Sequence, residues 1–252
     1  MKPYQEELAR LLAESGSLFF AEGLRLKDGR PTPYFVNLGA FRTGHLAAAL
    51  GACFADWLVD LELAERVDIL LGPSYKGSAI AQGAAMALYQ RHGIDLAFDY
   101  DRKEAKTHGE ASGGGSLFVT GALASGGRVL IIDDVGTSMA TKRELLQKLD
   151  DQRAAGLEVE LAGVALAVDR QQTQAVYDDD GRVIEGRRGE DALAAFTQKT
   201  GLPVFAMLGM RQAVDYLAQA GLPVLVDGRP RPLGPAEVKQ MHEYLAIYGR
   251  EA

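Results

Sequence analysis

Apolar runs of strand length recur along this chain, and longer stretches with helical spacing lie between them. The runs cover residues 67–71 (VDILL), 96–100 (LAFDY), 129–133 (VLIID), 161–168 (LAGVALAV) and 203–208 (PVFAML). Helical patterns fill 45–59, 77–91, 138–149 and 211–218. Strands that alternate with helices predict βαβ units. Most of the runs are almost unbroken in apolar residues, as strands covered on both faces require. The expected class is α/β, with a mostly parallel central sheet flanked by helices.

The flanks add smaller pieces. Tyr4, Leu8, Leu11 and Leu12 share one helical face, with Glu6, Glu7 and Arg10 elsewhere, which predicts an N-terminal helix. Residues 18–20, 24–26 and 34–36 read as short strands around polar turns, an N-terminal hood packed on that helix. After Pro235, the spacing of Val238, Met241, Leu245 and Tyr248 predicts a C-terminal helix against the core. Two stretches read as inserted: the Gly/Ser-rich 107–116 (THGEASGGGS) and the acidic 171–190 (QQTQAVYDDDGRVIEGRRGE), expected as a hairpin-like excursion. No internal repeat or domain boundary is visible. Residues 1–252 are expected to form one domain, with the hood at about 16–40, a mobile loop at about 102–116 and the excursion at about 171–190.

Charge bounds what such a domain handles. The net charge of −7 speaks against a nucleic-acid or membrane surface, yet leaves room for a local basic site. Cys53 is the single cysteine, so no intrachain disulfide forms, which suits a reducing cytosol. His45, His92, His108 and His242 do not fall at zinc-ligand spacing. The N-terminal stretch lacks the apolar core of a signal peptide, and no run reaches the length of a membrane span. A soluble, cytoplasmic protein is expected.

The stretch VLIIDDVGTSMAT, 129–141, carries the first sign of chemistry. Ligands of open parallel sheets bind beyond the carboxyl ends of strands, where Asp133 and Asp134 lie. Two acceptor-only carboxylates match two adjacent hydroxyl donors, such as the 2- and 3-hydroxyls of a ribose. Backbone N–H groups and hydroxyls of Val135, Gly136, Thr137, Ser138, Met139, Ala140 and Thr141 then lead into a helix, and a helix N-terminus of this kind cups a phosphate. Together they read as a 5-phosphoribosyl site. Taken alone, an Asp-Asp pair more often just ends a buried strand.

Other segments shift that balance. Arg102, Lys103, Lys106 and His108 fall in RKEAKTHGE, a basic loop directly after a strand. Cations on a closing lid would stabilise charge on a departing diphosphate, although a solvated charged loop balanced by Glu104 and Glu110 would look similar. GPSYKG, 72–77, is a turn that delivers Lys76 to a helix start. Arg170 ends the LAGVALAV strand and suits a carboxylate by a paired hydrogen bond, or merely a strand end at the surface.

These segments resemble one known family. VLIIDDVGTSMAT is similar to the phosphoribosyl-diphosphate signature of type I phosphoribosyltransferases, with Met139 where a glycine is usual and a glycine instead at Gly136. A left-handed conformation at Met139 would cost about 1 kcal/mol or more. RKEAKTHGE closely resembles the mobile catalytic loop of bacterial orotate phosphoribosyltransferases, and GPSYKG resembles their diphosphate loop. LRLKDGRPTPYFVN is similar to their N-terminal segment. The resemblance implies the type I fold and the transfer of a 5-phosphoribosyl group from 5-phosphoribosyl 1-diphosphate to orotate. It implies donor contacts from Lys27, Tyr75, Lys76, Arg102, Lys103, Lys106 and His108, with the last four catalytic. It places Phe35 and Val36 beside the base, and Thr137 and Arg170 on orotate. Mg²⁺ carried mainly by substrate oxygens and water, a homodimer with shared active sites, and a cis peptide at Ser74–Tyr75 are implied as well. Two alternatives stay open: a non-enzymatic regulator that senses the donor and binds nucleic acid, and a transferase for another nucleobase.

Overall fold

The structure, a computed structural model, describes residues 1–103, 117–136 and 138–250. In chain order, α1 (Pro3–Glu14), β1 (Leu18–Phe20), β2 (Tyr34–Val36) and α2 (Gly44–Asp60) precede β3 (Ile69–Gly72), α3 (Lys76–His92) and β4 (Ala97–Tyr100). Then come β5 (Gly127–Gly136), α4 (Ala140–Ala154), β6 (Val159–Asp169), α5 (Ala192–Thr200), β7 (Val204–Gly209) and α6 (Met210–Gln219). The hairpin β8 (Pro223–Val226) and β9 (Arg229–Pro232) leads to α7 (Pro235–Tyr248). The five expected central strands lie side by side in the order β4-β3-β5-β6-β7, all parallel.

The pleat of β5 explains why its apolar run is unbroken. Leu130 and Ile132 enter one core with Phe54, Leu58, Ile80 and Ala84 of α2 and α3. Val129 and Ile131 enter the other, with Leu145 and Leu149 of α4 and Phe196 of α5. Successive side chains point to opposite faces, so a strand covered twice needs apolar residues at every position. By the same alternation Asp133 follows Ile131 toward α4, and Asp134 follows Ile132 toward α3.

The hood differs from expectation in composition. β1 and β2 form where expected and pair antiparallel, but residues 24–26 form no strand and make only the single bridge Arg25↔Pro31. The segment is held instead as a turn, with the Leu26 N–H donating to the Arg30 carbonyl at 2.9 Å. The third strand is β8, which pairs parallel with β1, and β9 makes the fourth in the order β2-β1-β8-β9. The β8–β9 turn puts Asp227 and Gly228 at φ 48° and 76°, the two left-handed positions of a tight hairpin. The hood therefore draws on residues far from 16–40.

The excursion closes on itself at one bridge, Tyr177↔Val183, and braces the hood turn. Arg30 is 2% exposed; its guanidinium bonds Asp28 and the Thr173 carbonyl (2.7 Å), and lies over the Tyr248 ring. Arg25 pairs with Glu185 at 3.0 Å, and the Gly186 N–H donates to Tyr248 Oη at 2.7 Å. α5, which the periodicity did not predict, is capped by Asp191, whose side chain accepts from Leu193 and Ala194. α4 begins at Ala140, two residues later than expected, because Met139 adopts a left-handed conformation that a helix excludes. Among the described residues no helix is long and apolar enough to cross a membrane.

Candidate active site

At the carboxyl end of β5 both acids are buried and both face a cavity of about 380 Å³. Each is met by a lysine from the helix on its own side of the sheet. Asp134 Oδ2 accepts from Lys76 Nζ of α3 at 2.8 Å, and Lys76 also reaches Asn37 Oδ1 at 3.1 Å. Asp133 Oδ2 is paired with Lys142 Nζ of α4. Burial pushes the Asp133 carboxyl above its ordinary value, against the pull of the Lys142 ammonium. Each acid also accepts a following backbone N–H: Asp134 N–H to Asp133 at 2.9 Å, and Val135 N–H to Asp134 at 2.7 Å.

Ser138, Met139, Ala140 and Thr141 continue the cavity wall into the first turn of α4. Met139 has φ 57° and ψ 13°, the left-handed region that glycine occupies without cost. Its side chain is 2% exposed, in the core between β5 and α4. Burying a methionine contributes about 1.5–3 kcal/mol, enough to offset the left-handed penalty of about 1–2 kcal/mol. The turn is thus kept by packing where glycine would keep it by freedom. Met139→Gly is expected to lower stability by about 1–3 kcal/mol, since the vacated volume outweighs the relieved backbone. Chemical denaturation would detect this; a more stable glycine variant would reverse the ranking of the two effects.

The opposite wall comes from the hood. Phe35, Val36 and Asn37 line the cavity together with Arg170 from the end of β6. The Arg170 guanidinium lies over the Tyr34 ring (5.4 Å to its centroid) and the Phe35 ring (5.8 Å). It is buried, and its Nε and Nη2 have no hydrogen-bond partner among the described residues. Unpaired donors on a buried cation are costly, and an anionic ligand would satisfy them.

A second concavity of about 500 Å³ contains Ser74, Tyr75, Arg102 and Lys103. Gly72 and Gly77 make the turn below it possible: a Cβ on Gly72 would meet the Gly77 carbonyl oxygen at 2.0 Å. The Ser74–Tyr75 peptide is cis, as the resemblance implies. The Ser74 N–H donates to Asp101 Oδ1 at 2.6 Å, and Lys148 of α4 pairs with Asp101 and bonds the Arg102 carbonyl at 2.8 Å. Asp101 thereby ties this turn to the start of the basic loop. Lys103 Nζ stands 4.8 Å from the centroid of the exposed Tyr75 ring.

The first cavity brings together Phe35, Val36, Lys76, Asp133, Asp134, Val135, Ser138, Met139, Ala140, Thr141 and Arg170. Tyr75, Arg102 and Lys103 gather at the second. Gly136 is buried at the end of β5 against Leu166. Lys27 is exposed on the hood turn and lines neither cavity. Lys106, His108 and Thr137 lie outside the described residues. Asn37 and Lys142 escaped the sequence reading. The signal for Lys142 was a lysine in the first turn of a helix beside two acids, where the helix dipole disfavours a cation.

No protein-family model matches the chain. Orotate phosphoribosyltransferase of Chromohalobacter salexigens is 41% identical over 217 residues, 86% of this chain and 84% of that protein. The chain belongs to the orotate phosphoribosyltransferase family. Another member, from Pseudomonas putida, is 38% identical over 86% of this chain and 90% of its own length. The solved orotate phosphoribosyltransferase of Francisella tularensis superposes with a TM-score of 0.71 at 27% identity, covering 95% of this chain and 98% of that one. The enzyme of Mycobacterium tuberculosis, solved with 5-phospho-α-D-ribosyl 1-diphosphate, shares the fold at a TM-score of 0.51 and 19% identity, over 84% of this chain and 93% of that one. The parallel sheet under a hood is the type I phosphoribosyltransferase fold, as the family resemblance implied.

Proposed function

We propose that this chain transfers the 5-phosphoribosyl group of 5-phosphoribosyl 1-diphosphate to orotate, giving orotidine 5′-monophosphate and diphosphate in pyrimidine synthesis. One observation carries the reading: a single cavity joins a carboxylate pair, a helix N-terminus, and a buried arginine with two guanidinium nitrogens that no described residue pairs. The pair suits the ribose diol, the helix N-terminus the 5-phosphate, and Arg170 the orotate carboxylate, with the Phe35 ring against the flat base.

No protein nucleophile is needed. The bond from ribose C1 to the diphosphate oxygen loosens first, leaving an oxocarbenium-like centre that a ring nitrogen of orotate attacks. Asp133 and Asp134 hold the sugar, Arg170 and Phe35 orient the base, and Lys103 with Arg102 stabilises charge on the departing diphosphate. Lys27, Tyr75 and Lys76 are assigned to the donor phosphates; Lys106 and His108 extend the set on the basic loop, and Thr137 joins Arg170 at the base. Among the described residues no group of three or more His, Cys, Asp or Glu stands together as a metal site. Mg²⁺ would enter mainly on the diphosphate and ribose oxygens with water, as that ion prefers, and when bound would neutralise diphosphate charge. A cytoplasmic homodimer sharing its basic loops completes the reading.

The test is diphosphate release with orotate, uracil, hypoxanthine and adenine in turn, with Mg²⁺ present. Release with orotate alone is the expected result, and release with another base in preference would reassign the substrate. A phosphate loop altered at Met139 would favour a non-catalytic sensor; the left-handed turn kept at Met139 speaks against that reading.

A further inference from the structure

Lys142 stands where a lysine is doubly disfavoured. It lies in the first turn of α4, at the positive end of the helix dipole, and it is buried. What offsets both costs is its ion pair with Asp133, reinforced by a hydrogen bond to the Val135 carbonyl at 3.3 Å. Lys142 lines the same cavity as the acids and the α4 N-terminus, yet its side chain is only 5% exposed. Lys76, the partner of Asp134, is about half exposed and has a second acceptor in Asn37. The two carboxylates are thus paired by cations of opposite character, one fixed and one free to leave.

We infer that Lys142 is a positioning residue for the phosphoribosyl donor: it locks Asp133 in a single orientation, so that donor binding exchanges partners only at Asp134. This rests on the proposed donor. A ribose hydroxyl meets Asp133 on lone pairs left over by Lys142 and the Asp134 N–H, since a carboxylate offers about four acceptor sites. At Asp134 the second hydroxyl displaces the Lys76 ammonium, whose long stem lets it swing toward the diphosphate. Without Lys142, Asp133 loses both its fixed orientation and the cation that favours its ionised form, and the ground-state grip on the sugar weakens.

The experiment pairs calorimetric binding of 5-phosphoribosyl 1-diphosphate in Mg²⁺ with steady-state kinetics, for wild type, Lys142→Met, Asp133→Asn and the double variant. For Lys142→Met, Kd and KM for the donor are expected to rise about tenfold, with kcat and KM for orotate within about twofold. Adding Lys142→Met to Asp133→Asn is expected to weaken donor binding no further, because the lysine acts through that carboxylate. Unchanged donor affinity, additive losses, or all constants falling in step with the folded fraction would overturn the inference. Should Lys142→Met unfold below the assay temperature, Lys142→Arg keeps the charge and moves it. Its donor Kd is expected to rise about threefold with kcat retained, and a wild-type Kd would be decisive against the role. Wild type that binds the donor but releases no diphosphate with orotate sinks the substrate assignment alone; wild type that binds no donor sinks both.

Discussion

Lys103→Ala is expected to lower turnover by roughly 10²–10³-fold while KM for orotate stays within about twofold. The asymmetry follows from position. Lys103 sits at the second concavity with Arg102 and Tyr75, away from the wall that Arg170 and Phe35 form. Its ammonium faces the Tyr75 ring, with no carboxylate partner among the described residues. Charge that builds on the diphosphate as the C1–O bond breaks is larger in the transition state than in the bound donor. A cation placed there acts mainly on turnover. Single-turnover diphosphate release together with orotate binding by calorimetry separates the two terms. If turnover and orotate affinity fell by the same factor, Lys103 would be a binding residue and the lid argument would fail.

Arg170→Met is expected to raise KM for orotate by about 10²-fold or more and to erode discrimination against uracil, which lacks the carboxylate. The same change should leave the melting temperature unchanged or raise it. Each unpaired buried donor costs about 1–3 kcal/mol, and Arg170 carries two of them. Methionine removes both and keeps most of the apolar stem between Tyr34 and Phe35. Against this stand two aromatic contacts worth about 0.5–2 kcal/mol each, so the terms are close and the sign leans toward stability. Loss of base selectivity without loss of stability marks a group held ready for a ligand. A large drop in melting temperature would instead mark Arg170 as part of the hood's framework.

The central sheet was legible because burial on both faces leaves a plain trace: VDILL, VLIID and LAGVALAV admit few polar residues. The site at its edge was legible for a related reason, since acids and a Gly/Ser/Thr turn interrupt that trace at the strand end. The β8–β9 hairpin was not read because β9, Arg-Pro-Arg-Pro, is exposed throughout and has no apolar period. Its Asp227-Gly228 turn was the available signal. α5 went unread although Asp191 and Gly201 bracket it as cap and stop. Residues 24–26 suggested a strand through two leucines, but backbone bonds from the Leu26 N–H to the Arg30 carbonyl and from the Thr32 N–H to the Leu24 carbonyl hold that segment as a turn. Lys142 shows the limit most clearly. Its meaning lies in a contact with Asp133 across the β5–α4 turn, and its place in the first helical turn marks it as unusual without naming that partner.

The parallel pairing of β1 with β8 ties residues 19 and 20 to 225 and 226. A chain growing on the ribosome holds β1 for some two hundred residues before its neighbour has been made. Until then the Phe35 side of the cleft rests on a two-stranded edge, too small to be stable by itself. Assembly of the catalytic cleft is therefore a late event in synthesis, and a nascent chain cut short before β8 would carry the signature motifs while being unable to grip the base.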